Sequence, residues 1–203
     1  MSNLTSAYIM RRNAINRKEN DYYPTPPLAT KYLVKKFGHV MPKNIWEPAA
    51  GRGWISRTLQ DDGFNIHSSD LYSYEAPLVD IDTGQDFLTC KAPKDYKGIV
   101  TNPPYKDKMP QKLLERSLEE FEFTAFFLRL TFMESAGRYE LFKDNPPSVL
   151  VFSPRMNCQE EKFGTYEGQM GGMVAYAWYV WSDKLPGGTV QWCNPKEMLN
   201  DKR

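Results

Sequence analysis

Four short stretches carry residues suited to holding a ligand, and each follows a run that reads as a β-strand. In the first, Glu47-Pro48-Ala49-Ala50-Gly51-Arg52-Gly53, a carboxylate fit for a cationic or hydroxyl group precedes a loop of small residues that lets a ligand approach the backbone. Asp70, followed by Leu71, ends the next run 17 residues beyond Gly53, where a βαβ unit places an acidic side chain for ribose hydroxyls. Asp86-Phe87 then sets a carboxylate that accepts from an amino group beside a ring that packs on a planar ligand. Last comes Asn102-Pro103-Pro104-Tyr105, directly after the apolar Gly98-Ile99-Val100-Thr101. Prolines donate no backbone N–H, so the ladder must stop there and the loop is stiff. Each stretch alone has an ordinary explanation as a tight turn, a strand-end aspartate or core packing. All four in order, beyond successive strands, mark the edge where open α/β sheets bind ligands.

The elements that must position these residues alternate. Asp21 to Pro27 is too proline-rich for helix, and Leu28 to Phe37 shows helical spacing with a proline in its first turn and Gly38 as its stop. Strands are expected near 44–47 and 64–70 with a helix at 54–63 between them, a short third strand at Phe87-Leu88, and a fourth at 98–101. A helix over 108–121 presents Leu113, Leu114, Leu118 and Phe121 on one stripe. Strands at 124–130 and 148–152 enclose a helical stretch at 133–144, and a long aromatic strand at 173–181 precedes an edge strand at 189–192. This order predicts an α/β fold with a mostly parallel sheet, helices on both faces and an antiparallel addition near the C-terminus.

Composition narrows the class. A chain of 203 residues suits one α/β domain over 21–203, preceded by a basic arm at 1–20 carrying Arg11, Arg12, Arg17 and Lys18. Twenty-six Lys and Arg against 25 Asp and Glu leave a net charge of +1, so any polyanion contact must come from a local patch. Cys90, Cys158 and Cys193 are odd in number and form no CxxC pair, which argues against a disulfide framework or a metal site. No run is apolar enough for a signal peptide or a membrane span, so a cytoplasmic location, in a bacterial or phage-infected cell, is expected with no membrane partner.

The glycine loop with Glu47, then Asp70, Asp86-Phe87 and Asn102-Pro103-Pro104-Tyr105 resemble S-adenosylmethionine-dependent amino-methyltransferases, in particular the DNA adenine-N6 enzymes of phages and restriction-modification systems. Tyr23-Pro24-Thr25-Pro26, ahead of the glycine loop, is similar to an extra cofactor motif of the same group. The resemblance covers roughly residues 21–153 and implies a Rossmann-like class I methyltransferase with a seven-stranded sheet. It also implies that Asn102 Oδ1 and the Pro103 carbonyl accept from the exocyclic amine of a flipped-out base while Tyr105 stacks on that base. Glu47, Pro48, Ala49, Gly51 and Gly53 would lie by the methionine part of S-adenosylmethionine, Asp70 and Leu71 by the ribose, Asp86 and Phe87 by the adenine. Tyr23 to Pro26 would cover the cofactor. Neither His39 nor His67 is needed as a base, because the methylated amine is acidic enough to lose its proton afterwards.

Asp86 and Asn102 are 16 positions apart, so no target-recognition domain is expected before the catalytic loop, and the partner is a nucleic acid, DNA foremost, with room for a separate recognition partner. The glycine-rich segment 155–172, with Lys162, Phe163 and Tyr166, is the candidate for reading the target, and Lys106 and Lys108 for phosphates. RNA adenine, cytosine N4, a protein glutamine amide and a non-catalytic binding protein of the same fold stay open as alternatives, since the first three present a planar amine to the same acceptors.

Overall fold

The computed structural model describes residues 21–194; the expected basic arm at 1–20 lies outside them. One eight-stranded sheet runs in the order β3-β2-β1-β4-β5-β7-β6-β8. Its strands are β1 (Asn44–Glu47), β2 (Asn65–Asp70), β3 (Asp82–Thr83), β4 (Gly98–Thr101), β5 (Phe123–Arg129), β6 (Ser148–Phe152), β7 (Tyr176–Ser182) and β8 (Val190–Cys193). The pairings from β3 through β5 are parallel, β7 runs antiparallel to both β5 and β6, and β8 pairs with β6 in parallel. The carboxyl ends of β1, β2, β4 and β5 therefore open on one edge, shared with the start of β7.

Helices cover both faces, as the pattern of alternating elements requires. Helix α1 (Pro27–Phe37) and α2 (Trp54–Asp61) bury Leu28, Tyr32, Leu33, Phe37, Ile55 and Leu59 with Phe127, Leu150 and Trp178 in one core layer. On the other face α3 (Met109–Glu120) lays Leu113 and Leu114 against Trp46, Ile99, Phe126 and Tyr179. Proline supplies the start of α1 and of α3, where a missing N–H costs nothing.

The structure departs from expectation at three elements. The sheet has eight strands rather than the seven that the resemblance implies; the eighth is the edge strand expected at 189–192, which pairs with β6. The third strand is the two-residue β3, not Phe87-Leu88. Asp86 Oδ1 accepts the Leu88 N–H at 2.9 Å and the Asp86 carbonyl accepts from Thr89 and Cys90, so local bonds turn this stretch into a helical turn and free Phe87 for the core. The helix expected over 133–144 is reduced to α4 (Tyr139–Asp144) after short 3₁₀ turns at Leu130–Met133 and Ala136–Arg138.

Trp178 ties the layers together. It is fully buried in β7 and its indole N–H donates to the Ala29 carbonyl of α1 at 2.8 Å. We expect Trp178→Phe to lower the unfolding free energy by about 1–3 kcal/mol in urea titration, from the lost volume and the lost hydrogen bond. Unchanged stability would mean that α1 is held by its apolar contacts alone.

Candidate functional site

Asn102 is the first residue past β4, and its side chain is oriented by the chain in front of α1. Its Nδ2 donates to the Tyr23 carbonyl at 2.7 Å, an assignment of the amide that follows from the partner being an acceptor only. The same segment is fixed a second time, where the Lys106 N–H donates to Asp21 Oδ2 at 2.9 Å. With its nitrogen engaged, Asn102 leaves Oδ1 on the cleft wall, and among the described residues nothing donates to that oxygen or to the Pro103 carbonyl. Tyr105 stands beside them, its hydroxyl accepting the Arg129 N–H at 2.8 Å while the Arg129 guanidinium lies 4.6 Å from its ring centre. One face of that ring is thus taken.

The cleft occupies the carboxyl edge between β1, β2 and β4 and encloses about 770 Å³ measured out to its open mouth. Glu47, Pro48, Ala49, Gly51, Asp70, Leu71, Asp86 and Phe87 line it together with Tyr23, Pro24, Thr25, Asn102 and Pro104. Glu47 is 1% exposed, and its Oε2 accepts the Ser56 N–H at 2.8 Å and the Ser56 hydroxyl, so it caps the first turn of α2 from the end of β1. Asp70 Oδ2 accepts from Gly51 at 2.8 Å and Oδ1 from Tyr72 at 2.8 Å, which pins the glycine loop while each oxygen keeps a second lone pair. Gly51 has φ +57°, and a Cβ there would lie 2.4 Å from the Tyr22 ring. The small residue is what lets that ring close over the loop.

Two expected cofactor residues stand behind the wall instead of lining it. Pro26 is the cap of α1, and Gly53, at φ +88°, is the cap of α2. Phe87 contributes an edge of the cleft but is 5% exposed, packed 5.1 Å from Trp46 and under the Arg116 guanidinium.

The segment expected to read a target instead packs behind the cleft, against Tyr22, Trp54 and Arg52. Glu160 receives the Tyr22 hydroxyl at 3.2 Å, the Trp54 indole N–H at 2.8 Å and the Arg52 guanidinium. Phe163 is 6% exposed with its ring edge-on to Trp54 at 5.1 Å, and Tyr166 packs against the core beneath α1. Gln169 Oε1 accepts the Leu28 N–H at 2.8 Å. Phe163 and Tyr166 are therefore spent on docking the segment, and of the five residues named for substrate only Lys106 and Lys162 are exposed. Tyr22, Trp54, Tyr72, Tyr74 and Gln85 also line the cleft, with Tyr22 and Tyr74 rings 4.9 Å apart. Only the chain order, aromatic residues just before Tyr23-Pro24 and just after Gly53, could have marked them.

No family description and no curated protein matches the chain. Solved structures share its fold. A type I restriction-modification methyltransferase subunit from Streptococcus thermophilus superposes with a TM-score of 0.58 at 12% identity, over 96% of this chain and 55% of its own length. A proposed modification subunit of a type I restriction enzyme from Vibrio vulnificus YJ016 gives 0.55 at 13%, over 94% and 50%. A proposed RNA methyltransferase from Pyrococcus horikoshii gives 0.55 at 12%, over 80% and 88%. The fold is the Rossmann-like fold of methyltransferases, and the chain spans about half the length of the two restriction-system subunits.

Burial pushes Glu47 up to about 8, reinforced by the nearby Asp70 and only partly offset by Ser56. The folded chain thus keeps a proton that the unfolded chain releases above 4.5. Stability from this group is complete below that value and declines as pH rises toward 8, by at most about 1.4 kcal/mol per pH unit. Glu47→Gln should gain on wild type in unfolding free energy across that window. Parallel pH profiles for the two proteins would show that Glu47 is ionised in the folded state throughout.

Proposed function

We propose that the chain is an S-adenosylmethionine-dependent methyltransferase acting on the exocyclic N6 amine of adenine in a nucleic acid, DNA foremost. The observation that carries the reading is the pair of unengaged acceptors, Asn102 Oδ1 and the Pro103 carbonyl, held at the end of β4 beside a cleft lined with carboxylates. The cleft suits the cofactor on its own chemistry. Asp70 keeps lone pairs for ribose hydroxyls, Asp86 has a carboxylate oxygen beyond the one bonded to Leu88, and the Thr25 hydroxyl, 2% exposed on the wall, has no partner among the described residues. Pro24, Glu47, Pro48, Ala49 and Gly51 would surround the amino-acid end, and Leu71 and Phe87 the planar end. When bound, S-adenosylmethionine supplies an electrophilic methyl group on a sulfonium.

The residues of the chain then do two things. The exocyclic amine of adenine is a weak nucleophile because its lone pair is delocalised into the ring. Two hydrogen bonds, one to Asn102 Oδ1 and one to the Pro103 carbonyl, draw the nitrogen toward tetrahedral geometry and release the pair for attack. The prolines and the Tyr23 carbonyl fix those acceptors before the base arrives, so no reorganisation is required at the moment of reaction. Tyr105, clasped by Arg129 on one face and packed against the core, would meet the base with its remaining edge. The likeness of fold to nucleic-acid methyltransferases supports the class of substrate. Cytosine N4 poses the same chemical problem. With Phe163 and Tyr166 packed away, target choice falls to a partner or to the substrate's own shape.

Wild type and Asn102→Ala, incubated with methyl-labelled S-adenosylmethionine and duplex DNA, single-stranded DNA or structured RNA, test this directly. We expect N6-methyladenine in DNA and a loss of at least about 100-fold in the variant, with cofactor affinity changed only a few-fold. Equal activity in the variant, or no transfer to any nucleic acid by protein that binds the cofactor, would overturn the reading.

A further inference from the structure

The six described arginines fall into two groups by partner. Arg52 pairs with Glu160, Arg57 with Asp61 at 3.0 Å and Arg116 with Glu120 at 2.8 Å, so their charges are cancelled locally. Arg129, Arg138 and Arg155 meet no carboxylate at ion-pair distance among the described residues. Neutral groups hold them instead. The Arg129 guanidinium is stacked on Tyr105, with Tyr176 and Tyr23 close by. Arg138 lies over Phe132 at 4.2 Å and donates to the carbonyls of Phe132 and Glu134 at 2.8 and 3.1 Å, and Arg155 donates to the Met173 carbonyl at 3.1 Å.

All three stand at the same edge of the sheet as Asn102. Thr101, the last residue of β4, pairs with Phe126 of β5, and Arg129 lies three positions farther along that strand. Arg129 in turn pairs with Tyr176 at the start of β7, three residues after Met173, and Arg138 sits in the turns that leave β5. Carbonyls and aromatic rings orient a guanidinium without cancelling its charge. A chain of net charge +1 thus concentrates three uncancelled arginines on the rim of its candidate active site. Met133, just after β5, and Met173 and Val174, just before β7, are 45, 93 and 38% exposed and add apolar side chains to the same edge.

We propose that Arg129, Arg138 and Arg155 form a strip that binds successive phosphates of a polynucleotide strand on either side of the target nucleotide. Guanidinium forks match phosphate oxygens in two-pronged contacts, and single positive groups spaced along successive strand ends suit a ligand with one charge per repeat. Within the 155–172 segment this strip moves the substrate contact from Phe163 and Tyr166 to Arg155, and it rests on the polynucleotide reading given above.

The test is the salt dependence of binding to a labelled single-stranded oligonucleotide, read by fluorescence anisotropy and needing no turnover. Arg129→Gln, Arg138→Gln and Arg155→Gln should each flatten the slope of log K against log salt by about 0.7, one phosphate's counterion release from a single strand. Arg57→Gln, whose charge is already cancelled, should leave the slope unchanged, and Arg129→Lys should restore it. Slopes equal to wild type in Arg129→Gln and Arg155→Gln would overturn the strip, as would a wild type that binds no oligonucleotide. If Arg129→Gln does not fold, the exposed Arg155→Gln decides alone. Flattened slopes without any methyl transfer would keep the strip and remove the proposed chemistry; transfer with unflattened slopes would do the reverse.

Discussion

Two consecutive prolines after Thr101 set the constraint on which the site depends. They end the β4 ladder while its neighbour β5 continues three residues farther to Arg129, still paired with β7 on its other side. The unequal strand ends leave a notch in the sheet. Asn102 stands at its floor, and the segment ahead of α1 fills one flank through the Tyr23 carbonyl and Asp21. A residue with a free N–H at 103 or 104 could carry the ladder onward and close the notch.

The electrostatics follow from the same geometry. Beyond the ends of β1 and β2 two carboxylates, Glu47 and Asp70, are buried within range of each other, and burial raises both. Each is held by backbone N–H groups of the glycine loop or the turn after it, so the loop's shape depends on acids whose charge is costly. A ligand with a cationic group and hydroxyls relieves that cost. On the rim beyond β5 the balance is opposite, with arginines held by neutral partners. The cleft and the rim thus differ in sign, as a site would that takes a cationic cofactor and an anionic strand.

Much of this was legible in the sequence because it sits where local rules are strong. Prolines, glycines and strand-end carboxylates carry their own conformational consequences, and Glu47, Asp70, Asp86 and Asn102 all came out on one cleft. The misses have different causes, the first of them long-range bonds. Glycine content made 155–172 look like a free loop, yet Glu160 and Gln169 bind partners more than a hundred residues away, and no local pattern announces that. Phe87 looked like strand because it is apolar, but the Asp86 side chain outcompeted the ladder for its neighbours' N–H groups. Arg129 was invisible for a different reason. Its meaning lies in the carboxylate it lacks, which only the assembled structure displays.

The most direct test is a crystal structure with sinefungin, an S-adenosylmethionine analogue in which an amine-bearing carbon replaces the methyl-bearing sulfonium. The analogue is expected in the cleft with its ribose hydroxyls on Asp70, its adenine between Leu71 and Phe87, and its amine facing Asn102 Oδ1, the Asn102 amide nitrogen still on the Tyr23 carbonyl. An analogue bound elsewhere, or an Asn102 that turns its nitrogen into the cleft, would contradict the proposed site.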